Sequence, residues 1–409
     1  MYREIRREQI INLLRKQGQS SVSYLADRFQ VTRETIRTDL TYLQNAGLIA
    51  RHHGGASLKK HFMQTELIQN GDLNIRHLMS AREQIHSTTY QPEQSDSYAG
   101  KVCIFGSFNV DIVAKVQRFP KDGETLIARE TTLGPGGKGA NQALAALNAG
   151  ATVHFATKVG RDQFNQFARH HFESSGIHSL SLYESASAPT GSAVIYVNDE
   201  GENIIAICPG ANQQITGEEV AELMPYVSES DVLLVQLENN ADALEGVLQL
   251  ARGLKVTVIL NPAPYSPDVE RFLAYSDFIT PNETEASSLS GIDIHDIETA
   301  KQAATIIHQK GAQSVIITMG SQGVVLFDGE KYAHIPAYAA VVVDTTGAGD
   351  AFSGALAASI ARGENLIQAA HYATAFASLA VEQAGAANMP TRSQVEARMI
   401  QQQISVNTI

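Results

Sequence analysis

Asp344-Thr345-Thr346-Gly347-Ala348-Gly349-Asp350-Ala351-Phe352 reads as the end of a strand, a turn of small residues and the first turn of a helix. Gly347, Ala348 and Gly349 have little side-chain bulk, so backbone N–H groups at the helix start can converge on an anion, and the helix dipole adds to the attraction. A transferring phosphoryl group fits such a cradle. Asp350 opens the same helix and is placed to take a proton from an attacking hydroxyl, as phosphoryl transfer to an alcohol requires. A Gly-Asp pair at a helix start is usually only a cap. The full string is far rarer, and it carries the functional reading.

The neighbouring segments share this design. Short β-rich runs such as Val102–Gly106, Val256–Asn261, Asp277–Thr280 and Ser314–Thr318 alternate with helical stretches at Asn141–Asn148, Ala241–Ala251 and Ile297–Gln309. The alternation predicts an α/β fold with a mostly parallel sheet flanked by helices. Two stretches break the rhythm: residues around Asp111–Thr132, and the pair Ser192–Asp199 and Glu202–Gly210, joined at Glu200-Gly201. They read as antiparallel hairpin strands forming a small β lid. In open α/β sheets ligands gather at the carboxyl ends of strands, and the chemically interesting residues here follow strands.

Asn109 and Asp111, in Gly106-Ser107-Phe108-Asn109-Val110-Asp111, bring an amide and a carboxylate to the end of the first strand, where both suit vicinal hydroxyls. Glu238 follows Val232–Gln236 in the same way. The cluster Gly134-Pro135-Gly136-Gly137-Lys138-Gly139-Ala140-Asn141 is not a Walker loop, because Gly139 stands where Ser or Thr is needed. It is either a flexible loop or a turn admitting a small polyol, with Lys138 and Asn141 as donors. Asn282 and Glu285 form an N-x-x-E pair suited to ordering Mg²⁺, its waters and nucleotide phosphates. Each acid alone reads as surface charge; their common place after strands argues for a site.

Toward the N-terminus the character changes. The chain carries a net charge of -12 over 409 residues, yet residues 1–60 hold eleven Lys/Arg against five Asp/Glu, an asymmetry that suits a head touching a polyanion. Helical spacing recurs over Arg3–Lys16 and Val22–Phe29. A third helix, capped by Thr32 and running to about Asn45, turns Ile36, Leu40 and Leu43 inward and Arg33, Thr35, Arg37 and Thr38 outward. Gly47–Ala56, with His52 and His53, reads as a β-hairpin wing. Between Ser57 and Gly100 the chain is polar, with a short helix expected around Ile75–Ile85. The domain reading is therefore 1–58 winged helix-turn-helix, 59–99 linker and 100–400 catalytic body. Cys103 and Cys208 suggest neither a disulfide nor a zinc site. The charged N-terminus lacks a signal-peptide core, so a cytoplasmic protein is expected.

Two resemblances sharpen this reading. The string Leu25–Ala56 resembles the winged helix-turn-helix of DeoR-type sugar-operon repressors. The likeness implies that Arg33, Thr35 and Arg37 contact DNA. From Gly106 onward, GSFNVD, GGKGAN, NPAP, TPNETEA, TMGSQG and DTTGAGD resemble, in order and spacing, the ribokinase/phosphofructokinase-B sugar kinase family over about residues 100–395. That resemblance implies a ribokinase-like fold and sugar contacts from Asn109, Asp111, Gly137, Lys138, Asn141, Glu238 and Asp350. It places ATP on Asn282, Thr318, Gly320, Ser321, Gly323 and Gly349. It further implies K⁺ held by Asp344, Thr346, Ala380, Gln383 and Gly385, although Met389 stands where the family has a serine.

The combined expectation is a pentose kinase, D-ribose first, fused to its own DNA-binding head and forming a homodimer. Deoxyribose, fructose or a nucleoside as substrate, a sugar sensor with a vestigial kinase body, and an enzyme whose head only dimerises are the competing readings.

Overall fold

The computed structural model describes residues 6, 10, 13–14, 19–29, 31–45, 49–52, 55–58, 98–402 and 407–408. The chain divides into two compact units, Met1–Ser95 and Asp96–Ile409. The expected helix at Ile75–Ile85 and the tip of the wing at His53-Gly54 lie outside the described residues, as do the linker up to residue 97 and most of Arg3–Lys16.

In the smaller unit, strand β1 (Gln19–Ser21) leads into helix α1 (Val22–Phe29), followed by α2 (Arg33–Asn45) and the strands β2 (Ile49–His52) and β3 (Gly55–Leu58). Helical spacing turns Leu25, Ala26, Phe29, Ile36, Leu40 and Leu43 into one apolar core with Ile10, Leu14, Ile49 and Ala56. Thr32 caps α2 through Oγ1, which accepts from the Thr35 N–H at 3.1 Å. β2 and β3 form the expected hairpin, and β1 adds a third strand against β3. Three residues are too few to show an alternating pattern, so β1 was not legible in the sequence. Arg6 Nε donates to Asp39 Oδ2 at 2.6 Å inside this core, a buried ion pair that costs desolvation and is strongly destabilising to halve.

The larger unit follows the strand–helix alternation. Its elements are β4 (Lys101–Phe105), β5 (Asn109–Lys115), β6 (Glu130–Gly136), α3 (Lys138–Asn148), β7 (Thr152–Gly160), α4 (Gln163–Ser175), β8 (Ser179–Ser185), β9 (Gly191–Val197) and β10 (Asn203–Cys208). Next come α5 (Gly217–Glu222), α6 (Met224–Ser228), β11 (Val232–Val235), α7 (Ala241–Leu254), β12 (Thr257–Leu260), β13 (Phe278–Ile279), α8 (Glu283–Ser290), α9 (Ile297–Gln309) and β14 (Ser314–Thr318). Then follow β15 (Val324–Phe327), β16 (Tyr332–Ile335), α10 (Ala348–Ala361), α11 (Leu366–Ala380), α12 (Arg392–Gln401) and β17 (Asn407–Thr408). Among the described residues the main sheet runs β17-β16-β15-β14-β13-β12-β11-β4-β7-β8. It is parallel from β14 to β8 and antiparallel beyond β14. All four residues of Val232–Val235 are buried, as expected of a central strand covered on both faces. One face packs on α3, α10 and α11 and the other on α7, α8 and α9.

The lid is a separate four-stranded sheet, β10-β9-β5-β6. Its two hairpins are antiparallel, but they join through a parallel pairing of β5 with β9. One difference from the sequence reading matters for the site. Gly134-Pro135-Gly136, read as part of a turn, is the end of β6, with Gly134 opposite Asp111 and Gly136 opposite Asn109. A side chain at Gly136 would collide with the Asp111 carboxylate, so the glycine belongs to a strand that passes close to an acid.

Cys103 is buried with its thiol pushed up to about 12 by that burial, and Cys208 is exposed. Among the described residues no helix is long and apolar enough to cross a membrane.

Candidate active site

Gly347, at φ 78°, turns the chain into α10 with no side chain capping the helix start. A Cβ on Gly349 would meet nothing within 4 Å, so the backbone there faces open space. Uncapped N–H groups, a positive dipole end and free approach are what an anion needs. The next residue, Asp350, is 5% exposed. Asn141 Nδ2 donates to its Oδ2 and Gln142 Nε2 to its Oδ1, each at 3.0 Å.

Both donors sit near the start of α3, and the reach of a short aspartate across two helices depends on small residues. A Cβ on Gly354, one turn after Asp350, would stand 2.5 Å from the Gln142 carbonyl oxygen and 2.6 Å from Ala145 Cβ. The alanine-rich faces of α3 and α10 (Ala143, Ala146, Ala351, Ala355, Ala358) complete that contact.

Lys138 opens α3. Its ammonium lies in the field of Asp350, which raises its pKa against the opposing effect of burial, with Glu238 and Glu285 adding to the rise. Glu238 accepts from the Lys138 backbone N–H at 3.0 Å and from the Ser107 hydroxyl. Asp111 is pushed up to about 6, first by burial and then by the charges of Glu238 and Asp350. Asn109 is buried and its Oδ1 accepts from Asn212 Nδ2 at 2.9 Å, which leaves its own amide N–H group as a donor. Gly137, at φ 93°, permits α3 to start against the Asn109 backbone: a Cβ there would lie 2.7 Å from Asn109 N. The structure thus gathers Asn109, Asp111, Gly137, Lys138, Asn141, Glu238 and Asp350 into one polar cluster.

Asn282 and Glu285 form a capping box on α8: the Glu285 N–H donates to Asn282 Oδ1 and the Asn282 N–H to Glu285 Oε2, both at 2.9 Å. This structural task was not anticipated from the sequence, although N-x-x-E is a capping signature. Burial raises the Glu285 pKa, which Lys138 partly offsets. Thr318 pairs with Asn282 in a parallel bridge. The turn Gly320–Gln322 follows, closed by Gly323 at φ 91°.

Asp344 joins the turn before α10 to the late loop. Its Oδ1 accepts from Thr346 N and its Oδ2 from Gly385 N, both at 2.9 Å. Burial would raise its pKa, but these hydrogen bonds outweigh burial and hold it below the ordinary carboxylate value. Gln383 N donates to the Ala380 carbonyl at 3.0 Å. Met389 places its side chain against the apolar core, and its carbonyl accepts from Asn148 Nδ2 at 3.0 Å. No group of three His, Cys, Asp or Glu suited to a metal occurs among the described residues.

Several site residues were missed in the sequence. Gln142, Gln236, Asn261 and Asn212 each join elements far apart in the chain. Only their position after or near a strand end hinted at them. In the smaller unit, Arg33 and Arg37 are exposed and Thr35 half-buried on α2; Arg37 meets Glu34 at 3.1 Å. Arg51 on β2 donates to Thr41 Oγ1 at 2.9 Å.

Residues 99–392 match the model of the pfkB family carbohydrate kinases, and residues 6–62 that of the DeoR-like helix-turn-helix domain. A ribokinase of Haemophilus influenzae is 36% identical over 292 residues, covering 71% of this chain and 95% of the relative. A deoxyribokinase of Salmonella typhi is 33% identical over 281 residues, covering 68% and 92%. Among solved structures, ribokinase of Arabidopsis thaliana complexed with ribose and ATP superposes with a TM-score of 0.68 at 31% identity, covering 74% of this chain and 99% of that one.

Proposed function

The chain belongs to the pfkB family of carbohydrate kinases, and from that premise we propose that this ATP-dependent sugar kinase converts D-ribose to ribose 5-phosphate with Asp350 as base, and regulates a sugar-utilisation operon through its DeoR-type head. The observation that carries the catalytic part is the buried Asp350 carboxylate, held on both oxygens by amides of α3 beside an uncapped helix start.

In this reading the sugar lies over Asn109, Asp111, Gly137, Lys138, Asn141 and Glu238. Its primary hydroxyl gives its proton to Asp350 as the oxygen bonds to the γ-phosphorus. The bond from that phosphorus to the β–γ bridging oxygen breaks, and ADP leaves. The amides from Gly347 to Gly349 meet the charge on the phosphoryl oxygens. Asn282, Thr318, Gly320, Ser321 and Gly323 take the nucleotide. Mg²⁺, which the family uses with ATP, neutralises phosphate charge when bound. Asn282 and Glu285, at the start of α8, would order the ion and its waters beside the nucleotide phosphates.

K⁺ is assigned to the loop of Asp344, Thr346, Ala380, Gln383 and Gly385. Support comes from the Asp344 bridge to Gly385, which ties this loop to the start of α10. Met389 adds nothing to such a site, since its side chain is in the core and its carbonyl is taken by Asn148.

Ribose is preferred because Asn109 offers a donor and Asp111 an acceptor to adjacent hydroxyls. A site that hydrogen-bonds a hydroxyl rejects the analogue lacking it. Arg33, Thr35 and Arg37 are assigned to DNA. A homodimer through the lid is supported by exposed Tyr196, Ile204, Ile205 and Ile207 on β9 and β10; sugar occupancy of the lid would then alter the spacing of the two heads. We assign the protein to the cytoplasm, where ATP and operator DNA are found together, and retain 1–58, 59–99 and 100–400 as its domains.

The test is ADP release with ATP and Mg²⁺ over ribose, 2-deoxyribose, fructose and a nucleoside, with and without K⁺. The reading expects ribose to have the highest kcat/KM and K⁺ to raise it. A higher value for another sugar overturns the substrate assignment, and indifference to K⁺ overturns the cation site.

A further inference from the structure

Asp350 is assigned above as the base, but that assignment leaves open what aims its carboxylate. Resting on that reading, we propose that Gln142 is the positioning residue for Asp350, and that Gln236, Gln142 and Asp350 form a hydrogen-bond row with a single direction.

Gln142 is fully buried, as is Gln236, and Asn261 nearly so. Gln142 Nε2 donates to Asp350 Oδ1 at 3.0 Å and to Asn261 Oδ1 at 3.1 Å, which uses both of its hydrogens. Asn261 is itself oriented, because its Nδ2 donates to the Thr280 carbonyl at 3.0 Å. An ionised carboxylate only accepts, so the NH₂ group of Gln142 must face Asp350 and its Oε1 must face away. Gln236 meets that oxygen with Nε2 at 2.6 Å.

The far end of the row shows the consequence. With its NH₂ group committed to Gln142, Gln236 is left with Oε1 buried and without a hydrogen-bond partner among the described residues. A buried acceptor without a donor is unfavourable. Reversing Gln236 would be worse, since two carbonyl oxygens would then oppose each other. The orphan atom is therefore the mark of an order imposed from the charged end. Gly106 fits the same picture: a side chain there would collide with Gln236 Oε1 and stand 2.6 Å from Gly139 Cα.

Donors to a carboxylate favour its anionic form and fix its plane. The other charges facing Asp350 are Lys138 on α3, Asp111 on β5 and Glu285 on α8, while Glu238 faces Lys138 and Asp111. Gln142 is a neutral donor within that set, so its loss alters the base without changing the net charge.

The experiment compares kcat and KM against pH for the full-length protein and for Gln142→Met, Gln142→Glu and Gln236→Met, using ADP release with ribose, ATP and Mg²⁺. Loss of the Gln142 donor should move the acid limb of kcat upward by about one pH unit and lower kcat about tenfold or more, with KM for ribose changed less than about threefold. Gln142→Glu keeps the shape and should shift the limb further, because a second acid then faces Asp350. Gln236→Met touches neither sugar nor base, and should shift the limb in the same direction by less. An unmoved acid limb in the folded Gln142 variants, with only a lower melting temperature, overturns the proposal. If neither Gln142 variant folds, Gln236→Met decides, and a wild-type profile there overturns the row. Failure of the underlying reading looks different: Asp350→Asn would then keep its turnover.

Discussion

Replacing Gly354 with alanine adds one methyl group where α3 and α10 touch, and the consequence follows from distances already given. The new Cβ would lie 2.5 Å from the Gln142 carbonyl oxygen and 2.6 Å from Ala145 Cβ, whereas ordinary contacts are about 3.5–4.0 Å. Relief requires the helices to separate by roughly 1 Å. The two 3.0 Å hydrogen bonds to Asp350 would then stretch toward about 4 Å, beyond hydrogen-bond range. A misplacement of about 1 Å at a reacting group costs on the order of 10²-fold in rate, and overpacking costs about 1–3 kcal/mol of stability. Gly253→Ala on α7 is the control, because a Cβ there meets nothing within 4 Å. It should leave kcat unchanged and stabilise by up to about 1 kcal/mol. Steady-state ADP release and thermal melting of both variants read the contrast. Wild-type kcat and melting temperature in Gly354→Ala would refute the argument that helix spacing sets the base.

The elevated Asp111 gives two further expectations. Its ionised form accepts on both oxygens, whereas protonation turns one of them into a donor, so KM for ribose should rise as pH falls below about 6, its value being about 6, by up to about tenfold per pH unit; a KM flat from pH 7 to pH 5 contradicts this role. The folded value lies above the unfolded one, so the penalty of ionising Asp111 grows as pH rises from about 4 to 6 and is complete above that. Asp111→Asn escapes it, and at pH 7.5 the unliganded variant should melt higher, gaining at most about 2–3 kcal/mol, while losing ribose affinity; a lower melting temperature counts against the burial argument. In the head, Arg33→Ala and Arg37→Ala should each weaken operator binding and reduce the slope of log K against log salt by about 1, measured by fluorescence anisotropy; an unchanged slope removes that arginine from the phosphate contacts.

What the sequence disclosed, and what it withheld, divides by range. The turn and helix start of Thr345–Phe352 were legible because they are local, and the same holds for the inward face of α2 and the alternation of the larger unit; the strand end expected at Asp344 is not there, since β16 stops at Ile335 and the chain reaches α10 without a further strand. Gln142, Gln236 and Asn261 were not, because an amide is polar surface until a partner about a hundred or more residues away is known. Gly134–Gly136 was read as a turn, since strand pairing is decided by the facing strand and not by local preference; here Gly136 pairs with Asn109, and the neighbouring Asp111 carboxylate leaves no room for a side chain on it. Arg6 and Asp39 look like two surface charges in a basic head, and only packing shows them as a buried pair. Asn282 and Glu285 carried a signature that serves both a cap and a ligand set, and the capping half is the part visible in the hydrogen bonds.

Turnover and binding measured side by side in Asp350→Asn test the central claim most directly. The account predicts kcat reduced about 10²- to 10⁴-fold, with ribose and ATP still titrating by calorimetry at affinities within about an order of magnitude of the parent, one amide contact from α3 being lost. Near-normal kcat in that variant contradicts the account.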